Sequence, residues 1–180
     1  MAKPTREELQ NAATRTVDDL IAPDLKVLFC GINPGLYSGA TGLHFARPGN
    51  RFWKVLHRSG FTPRQLDPSE EDEMLEYGLG ITCFVSLTTA RADELSKEEF
   101  VAGGKLLEKK LEVYKPKILA VLGLGAYRAA FEHPKAKIGL QDETLAGTRI
   151  WLLPNPSGLN ANYQLDDFVS LFSELRKAAG

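Results

Sequence analysis

Four short apolar runs, separated by segments with helical patterning, constrain the fold of this chain most strongly. The runs cover residues 26–30, 81–85, 118–122 and 150–153. Apolar runs of this length, bounded by turn residues, are typical of strands that are buried on both faces. Helical segments between such strands indicate crossover connections. We therefore predict an α/β three-layer sandwich, in which a short, mostly parallel central sheet has helices on both faces.

The N-terminal residues precede this pattern and form a separate segment. Thr5 and Glu8 have the spacing of a capping box, so a helix is expected to begin there and to run to residue 21. With 180 residues, of which 43% are hydrophobic, the chain is long enough for one domain with its own core. We therefore divide the chain into a helical N-terminal extension, residues 1–22, and a single domain, residues 23–180.

The charged residues are unevenly distributed. The formal net charge is −1, which excludes a uniformly basic, nucleic-acid-coating protein. However, residues 25–66 contain six basic residues and no acidic one, whereas residues 67–76 contain six acidic residues and no basic one. The basic block is suited to a phosphate backbone. A solvated helix face that pairs with the acidic block explains it equally well.

Several classes of function lack the residues that they require. Cys30 and Cys83 are far apart in the sequence, so a zinc knuckle, an iron–sulfur cluster and a disulfide framework are not expected. The three histidines lie on separate segments without the spacing of metal ligands. Neither a dinucleotide-binding nor a Walker glycine pattern occurs. We therefore expect neither a metal nor a cofactor.

The chain also lacks the sequence features of export or membrane insertion. Its first residues are polar and mixed in charge, which argues against a secretory signal. The longest apolar stretch, residues 118–126, is much shorter than the roughly 18 residues typical of a membrane span. We therefore expect an intracellular, cytoplasmic protein with no membrane partner.

Two Asn-Pro loops follow the first and the last predicted strand. Residues 31–35 read Gly-Ile-Asn-Pro-Gly, and residues 154–159 read Pro-Asn-Pro-Ser-Gly-Leu. Ligands of open parallel sheets bind beyond the carboxyl ends of the strands, so both loops are expected at one rim. Proline stiffens each loop, and Gly35 and Gly158 allow the backbone to come close to a ligand. For either loop alone, an ordinary turn is the simpler interpretation.

The segment after the first Asn-Pro loop is glycine-rich and contains aromatic side chains. Phe45 has polar and small neighbours that do not form an amphipathic element around it. The segment is therefore expected to be flexible, with a ring on which a planar base could stack. Burial of Phe45 in the core is the alternative.

Three segments together resemble a known family. They are residues 31–35, residues 50–54 (Asn-Arg-Phe-Trp-Lys) and residues 155–159. With matching spacing, the chain resembles the mismatch-specific uracil-DNA glycosylase and thymine-DNA glycosylase family, within the uracil-DNA glycosylase superfamily, from about residue 23 to the last helix. The resemblance implies a monofunctional, cofactor-free enzyme. Such an enzyme would flip uracil, and in many family members related damaged pyrimidines, out of DNA, hydrolyse the N-glycosidic bond and leave an abasic site without a lyase step.

The resemblance also implies roles for individual residues. Asn33 matches the residue that positions the attacking water, and Phe45 would stack on the flipped base. Backbone groups around Ile32 and Phe45 would read the edge of the base, and Ser38 would lie near position 5 of the pyrimidine. The implied substrate- and DNA-binding set is Ile32, Gly35, Ser38, Phe45, Asn155, Ser157, Gly158 and Leu159.

The second Asn-Pro loop is expected to act on the DNA helix. Leu159 would enter the gap that the flipped base leaves in the stack. Asn155 stands where the fast uracil-DNA glycosylases have histidine, so one charged donor to the departing base is missing. Family members often have arginine two positions beyond the wedge residue, whereas this chain has Ala161. We therefore expect weaker discrimination between uracil opposite guanine and uracil in single strands.

An amide cannot accept a proton, so Asn33 cannot be a general base. The loop after the second strand is expected on the same rim and contains Asp93 and Glu94, and we select Asp93 as the candidate for a carboxylate that orients or activates the water. A surface acid ahead of the next helix is the alternative for Asp93.

The expected partner is double-stranded DNA that contains uracil, with single-stranded DNA as a further substrate, and the protein is expected to be a monomer. The alternatives are a damaged-DNA-binding module without catalysis and an α/β enzyme acting on free nucleosides or nucleotides.

Overall fold

The computed structural model of this chain describes residues 2–180. At its centre is a five-stranded sheet, composed of β1 (Val27–Gly31), β2 (Leu79–Cys83), β3 (Ile118–Leu122), β4 (Gly139–Leu145) and β5 (Thr148–Leu153). The strand order is β2–β1–β3–β5–β4. Strands β2, β1, β3 and β5 are parallel, and β4 is antiparallel to β5. The predicted α/β fold with a mostly parallel central sheet is confirmed.

Six α-helices surround the sheet: α1 (Arg6–Asn11), α2 (Leu36–Thr41), α3 (Phe52–Arg58), α4 (Lys97–Tyr114), α5 (Leu124–Ala130) and α6 (Leu165–Ala179). Two 3-10 helices, Pro68–Tyr77 and Ala92–Glu94, complete the helical segments. Alternate residues of the strands point to opposite faces. Phe29 therefore joins a core with α3 and α6, and Leu28 joins a second core with α4 and α5. The helices on both faces make the sandwich three-layered.

Several predicted elements have different bounds in the structure. Strand β2 lies two residues before the predicted run of residues 81–85. Helix α1 ends at Asn11, not at residue 21, and the chain then becomes extended. Leu20 and Ile81 exchange backbone hydrogen bonds of 2.9 and 2.8 Å, so this extended chain pairs with β2. The side chain of Leu20 is buried there, so the extended pairing removes apolar surface from water.

Strand β4, which the apolar pattern does not predict, forms a hairpin with β5 at the end of the sheet. Ala146 and Gly147 have φ angles of 50° and 80°, as in the tight turns that join antiparallel strands. Strand β4 is largely polar because it is an edge strand with solvent-exposed side chains. Within residues 2–180, no helix combines the length and the apolar character needed to cross a membrane.

Candidate functional site

The loops after β1 and β5 line one cavity of about 800 Å³ at the carboxyl edge of the sheet. Strands β1 and β5 flank β3 and run in the same direction, so their carboxyl ends lie at the same edge. Nine of the ten residues singled out from the sequence line this cavity: Ile32, Asn33, Gly35, Ser38, Phe45, Asp93, Asn155, Ser157 and Leu159. Gly158 lies in the same loop but does not line it.

Hydrogen bonds fix the orientation of the Asn33 side chain. Its Nδ2 donates to the carbonyl oxygen of Leu87 at 2.9 Å and to Oγ1 of Thr89 at 2.8 Å. A carbonyl oxygen only accepts hydrogen bonds, so the amide cannot be turned around. Among the described residues, no donor reaches Oδ1 of Asn33. The amide oxygen is therefore left to accept a hydrogen bond from a water or a ligand in the cavity.

Phe45 is held in a restricted conformation beside Asn33. Its backbone has φ +50°, which is rare for a bulky side chain. Its ring stacks on Phe52, with centroids 4.2 Å apart and an angle of 29° between the planes. Phe45 is half-buried rather than fully enclosed, and it lines the cavity. The ring is therefore a supported platform, packed against the core and still accessible to a ligand.

The segment that was expected to be flexible contains helix α2 instead. Ser38, in this helix, is buried, and its Oγ accepts a hydrogen bond from the backbone N–H of Ala46 at 3.4 Å. That contact places the Ser38 hydroxyl next to the backbone of Phe45. Gly39 leaves no room for a side chain, because an added Cβ would lie 2.6 Å from Oγ1 of Thr88. Close packing of α2 therefore replaces the flexibility that the glycines suggested.

The other loop presents one amide and one apolar side chain. Oδ1 of Asn155 accepts a hydrogen bond from the N–H of Ser157 at 3.0 Å, which orients Nδ2 away from that contact. Oγ of Ser157 accepts from the N–H of Leu159 at 3.2 Å. The Leu159 side chain is 73% exposed, although it is apolar. These turns hold an unburied leucine at the mouth of the cavity.

Arg51 holds the Leu159 loop in place, a role that the sequence pattern did not reveal. Nη2 donates to the carbonyl oxygens of Ser157 at 2.7 Å and Asn160 at 2.8 Å, and Nη1 donates to that of Tyr163 at 2.8 Å. The guanidinium also lies 4.5 Å above the ring of Phe168. The planar fork of arginine presents five donors in a fixed geometry, which suits it to binding several carbonyls at once. Its place at the start of α3, next to Asn50, is the only signal in the sequence.

Gly158 has a packing role. A Cβ added at Gly158 would lie 2.7 Å from the carbonyl oxygen of Gly49. The loop therefore contacts the segment before α3 backbone to backbone, and this contact requires a glycine. At Gly35, by contrast, nothing lies within 4 Å of an added Cβ, so the space around that exposed glycine is open.

Asp93 lies at the margin of the cavity and is bound to a neighbouring cation. Its Oδ2 is 2.6 Å from Nη2 of Arg91, and the two side chains are 64% and 74% exposed. Both residues line the cavity. Among the described residues, no hydrogen bond links Asp93 to Asn33. The position of Asp93 allows contact with a ligand. However, its carboxylate is exposed to solvent, and no contact holds it towards the Asn33 side chain.

His44 is a buried cavity residue that the sequence spacing did not single out. Its Nδ1 lies 3.3 Å from Oε2 of Glu71, and its backbone N–H donates to the same oxygen at 2.8 Å. The carbonyl oxygen of His44 accepts from Nε1 of Trp53 at 3.3 Å. Glu71 belongs to the acidic block, so part of that block supports the wall of the cavity.

The basic block serves several purposes. Arg64 pairs with Glu70 and Glu73 of the acidic block at 2.9 and 2.7 Å, as the pairing interpretation expects. Within residues 2–180, neither Arg47 nor Lys54 forms an ion pair, and both are exposed. Arg47 also lines the cavity. Arg47, at the cavity, therefore remains available to an anionic ligand.

Cys83 contributes a neutral thiol to the cavity wall. Burial, and secondarily the nearby Asp19 carboxylate, raise the pKa of Cys83 to about 12. A thiol in this state is a poor nucleophile at neutral pH. In the part of the chain that the structure describes, no group of three or more His, Cys, Asp or Glu residues is placed to hold a metal ion.

These features define an α/β ligand-binding protein whose site has an oriented amide, a supported aromatic ring and an exposed apolar side chain at its mouth. The family model described as the uracil DNA glycosylase superfamily matches residues 19–176. The chain belongs to the uracil DNA glycosylase superfamily. Membership implies DNA glycosylase activity, a hydrolase function in DNA repair, and DNA as the macromolecule acted upon.

Proposed function

We propose that this protein removes uracil from DNA by hydrolysing its N-glycosidic bond, and that it belongs to the mismatch-specific and thymine-DNA glycosylase branch of the superfamily. Mismatched uracil and related damaged pyrimidines are the proposed lesions. The products are the free base and an abasic site, and no lyase step follows. The observation that carries the proposal is the oriented Asn33 amide, whose Oδ1 is unoccupied while Nδ2 is bound to Leu87 and Thr89.

The cavity is suited to a base that has left the duplex. Glycosylases act on flipped nucleotides and lose a few kcal/mol of stacking and pairing in doing so. In the proposed complex, the flipped base stacks on Phe45, which Phe52 supports from behind. The edge of the base faces backbone groups around Ile32 and Phe45. A mismatched uracil is extruded at the lowest cost because its pairing is already weak.

Hydrolysis requires a water near the sugar and stabilisation of the departing base. As the bond between C1′ and N1 breaks, the sugar becomes oxocarbenium-like and the base leaves with negative charge. In the proposed mechanism, Oδ1 of Asn33 accepts a hydrogen bond from the water whose oxygen bonds to C1′. Asn33 orients the water without taking its proton. As the bond to C1′ forms, the water loses that proton to solvent, and the released uracil anion gains a proton from solvent. Nδ2 of Asn155 is available as a neutral donor to the base, so excision is expected to be slower than with a charged histidine there.

The exposed Leu159 provides the means to hold the DNA open. Apolar side chains inserted between base steps replace part of the lost stacking. Leu159 extends from a loop that Arg51 and the contact of Gly158 with Gly49 hold against the protein. In the proposed complex, Leu159 fills the gap in the helix, and Arg47 and Lys54 lie near the phosphate backbone.

The proposed specificity depends on two positions. The buried Ser38 hydroxyl, next to the backbone of Phe45, lies near position 5 of the proposed pyrimidine and disfavours a thymine methyl group. Ala161 is too short to contact the widowed guanine. We therefore propose that thymine is a poor substrate and that uracil opposite guanine is only weakly preferred over uracil in single strands.

The proposed role of Asp93 in activating the water rests on its position at the cavity margin. Its ion pair with Arg91 is also what a surface acid would form. The Asp93→Asn variant keeps the size of the side chain and removes its charge. A large loss of excision would support the catalytic role, and an excision rate equal to that of the wild type would assign Asp93 to the surface.

A substrate panel tests the proposal. Purified protein is incubated with labelled duplexes that carry G:U, A:U or G:T pairs and with single-stranded uracil DNA, and abasic sites are then cleaved with alkali. Product from the uracil substrates, with little from G:T, is expected. Binding to uracil DNA without product would instead indicate a module that recognises damage, and activity on free nucleosides alone would indicate a small-molecule enzyme.

A further inference from the structure

We propose that residues 12–20, here called the N-terminal segment, position the loop that orients Asn33, and that this segment is therefore needed for the chemical step. The inference deepens the proposed function and rests on it. It gives a role to a part of the chain that lies mostly before residue 19, where the match to the superfamily begins.

The N-terminal segment is bound to the backbone of Thr88. The N–H of Thr14 donates to the carbonyl oxygen of Thr88 at 3.1 Å, and the N–H of Thr88 donates to the carbonyl oxygen of Arg15 at 2.8 Å. Thr88 is thus held through both of its backbone polar groups. A bridge between Thr16 and Leu87 continues this antiparallel pairing.

The two residues on either side of Thr88 bind the catalytic amide. Leu87 supplies a carbonyl oxygen and Thr89 supplies Oγ1 to the Nδ2 of Asn33. The N-terminal segment therefore binds the backbone of Thr88, and the two residues covalently joined to Thr88 bind Asn33. Leu87 is exposed, so burial of its side chain does little to hold it in place. The buried Thr88 side chain and the N–H of Thr89, which donates to the carbonyl oxygen of Pro34 at 3.2 Å, also restrain this loop, and the backbone pairing with the N-terminal segment adds to that restraint.

The other end of the N-terminal segment is firmly attached to the sheet. Asp19 lies 2.6 Å from Nζ of Lys110 and accepts a hydrogen bond from Oγ1 of Thr82 at 2.9 Å. Leu20 pairs with Ile81 by two backbone hydrogen bonds. The segment is therefore fixed to β2 and α4, and it can transmit that fixed position to residues 87–89.

Thr14 permits a matched pair of variants. Its φ angle is +73°, in the left-handed region. Glycine adopts this conformation readily and keeps the N–H, so Thr14→Gly preserves the pairing with Thr88. Proline is fixed near φ −65° and has no N–H, so Thr14→Pro removes both the conformation and the hydrogen bond. The Thr14 side chain is exposed and both variants lack it, so a difference between them reports on the backbone and not on a lost side-chain contact.

The test compares both variants with the wild type in the single-turnover rate of uracil excision. Affinity for a duplex with an uncleavable 2′-fluoro-deoxyuridine is measured in parallel. Displacement of a catalytic group by about 1 Å can cost about a hundredfold in rate, so we expect Thr14→Pro to lose about tenfold to a hundredfold. We expect its affinity for the analogue to be unchanged and Thr14→Gly to excise at the wild-type rate. A folded Thr14→Pro variant with the wild-type rate, or equal losses in both variants, would overturn the inference.

A second measurement needs neither activity nor the proline variant. Hydrogen exchange in the wild type, followed by NMR, reports on the Thr88 amide and on the Asn33 side-chain NH₂. Slow exchange of both groups supports the inference, whereas rapid exchange of the Thr88 amide contradicts it even if Thr14→Pro does not fold. If the wild type releases no base from uracil DNA, the proposed function fails, but the exchange measurement still decides whether the N-terminal segment restrains Asn33.

Discussion

Replacement of Arg51 by lysine tests whether one side chain holds the Leu159 loop. The substitution keeps the charge but replaces a planar fork with a single ammonium group. In the wild type, three hydrogen bonds of 2.7 to 2.8 Å connect the guanidinium to Ser157, Asn160 and Tyr163. A lysine ammonium is expected to reach one of these carbonyls, and the other two lose their charged partner.

The size of the effect follows from the number of lost contacts. A hydrogen bond to a charged group contributes about 1.5–3 kcal/mol, so two of them amount to about 3–6 kcal/mol. The Ser157 and Asn160 carbonyls lie near the surface and can bind water instead, which reduces the net loss. We therefore expect the free energy of unfolding of Arg51→Lys to fall by about 2–3 kcal/mol.

Urea unfolding and excision kinetics together measure this effect. Arg58→Lys is the matched control, because the ion pair of Arg58 with Asp166 is 3.5 Å long and the two side chains are 46% and 89% exposed. Such surface pairs contribute about 0–1 kcal/mol, so little change in stability is expected. For Arg51→Lys, binding must also supply the free energy that orders the loosened loop, so the affinity for uracil DNA should fall about tenfold for each 1.4 kcal/mol of that cost. Wild-type stability and affinity in this variant would show that the Arg51 guanidinium does not hold the Leu159 loop.

Three other predictions concern packing and protonation. Gly103→Ala places a Cβ against the carbonyl oxygen of Phe84 and should destabilise the protein, although alanine has the higher helix propensity. Gly125→Ala places its Cβ in open space and should stabilise the protein by up to about 1 kcal/mol. Equal changes of the melting temperature in the two variants would contradict this prediction. Thr88→Val removes a buried hydroxyl that lacks a partner among the described residues, and should raise stability by about 1 kcal/mol; a lower melting temperature would show that the hydroxyl is satisfied. Burial raises the pKa of Cys30 and that of Cys83, the latter to about 12, so neither thiol should react with a thiol reagent at pH 8 until the protein unfolds. Because unfolded thiols ionise from about pH 9, the free energy of unfolding should also fall as the pH rises from 9 towards 12, and a flat profile would argue against burial of these thiols.

The sequence predicts the elements that depend on local signals. The Ser96 and Glu99 capping box begins α4, with the N–H of Glu99 donating to Oγ of Ser96 at 3.1 Å. Gly78, with φ +74°, ends the acidic 3-10 helix Pro68–Tyr77, because glycine adopts this left-handed conformation readily. These signals act within a few residues of each other, so the chain around them carries all the information. The two Asn-Pro loops were also expected at one rim, because parallel strands share a direction.

The remaining features depend on contacts between distant parts of the chain. Thr5 and Glu8 do form a capping box, but the burial of Leu20 against β2 ends the helical conformation early. Arg51 has the charge of a phosphate-binding residue, and only the folded structure brings it under a loop that begins over a hundred residues later. His44 is similar, since its partner Glu71 lies 27 residues away. A local pattern cannot reveal which distant acceptor a polar side chain will meet.

The excision of uracil by the wild type and by Asn33→Ala tests the central claim most directly. Both proteins are incubated in excess with a labelled G:U duplex, and free uracil and alkali-labile sites are measured together over time. We expect equal amounts of uracil and abasic sites from the wild type. We expect neither product from the variant, which retains the fold and binds the uncleavable analogue. Undiminished excision by Asn33→Ala would contradict the proposed role of its amide, and no product from the wild type would contradict the proposed function.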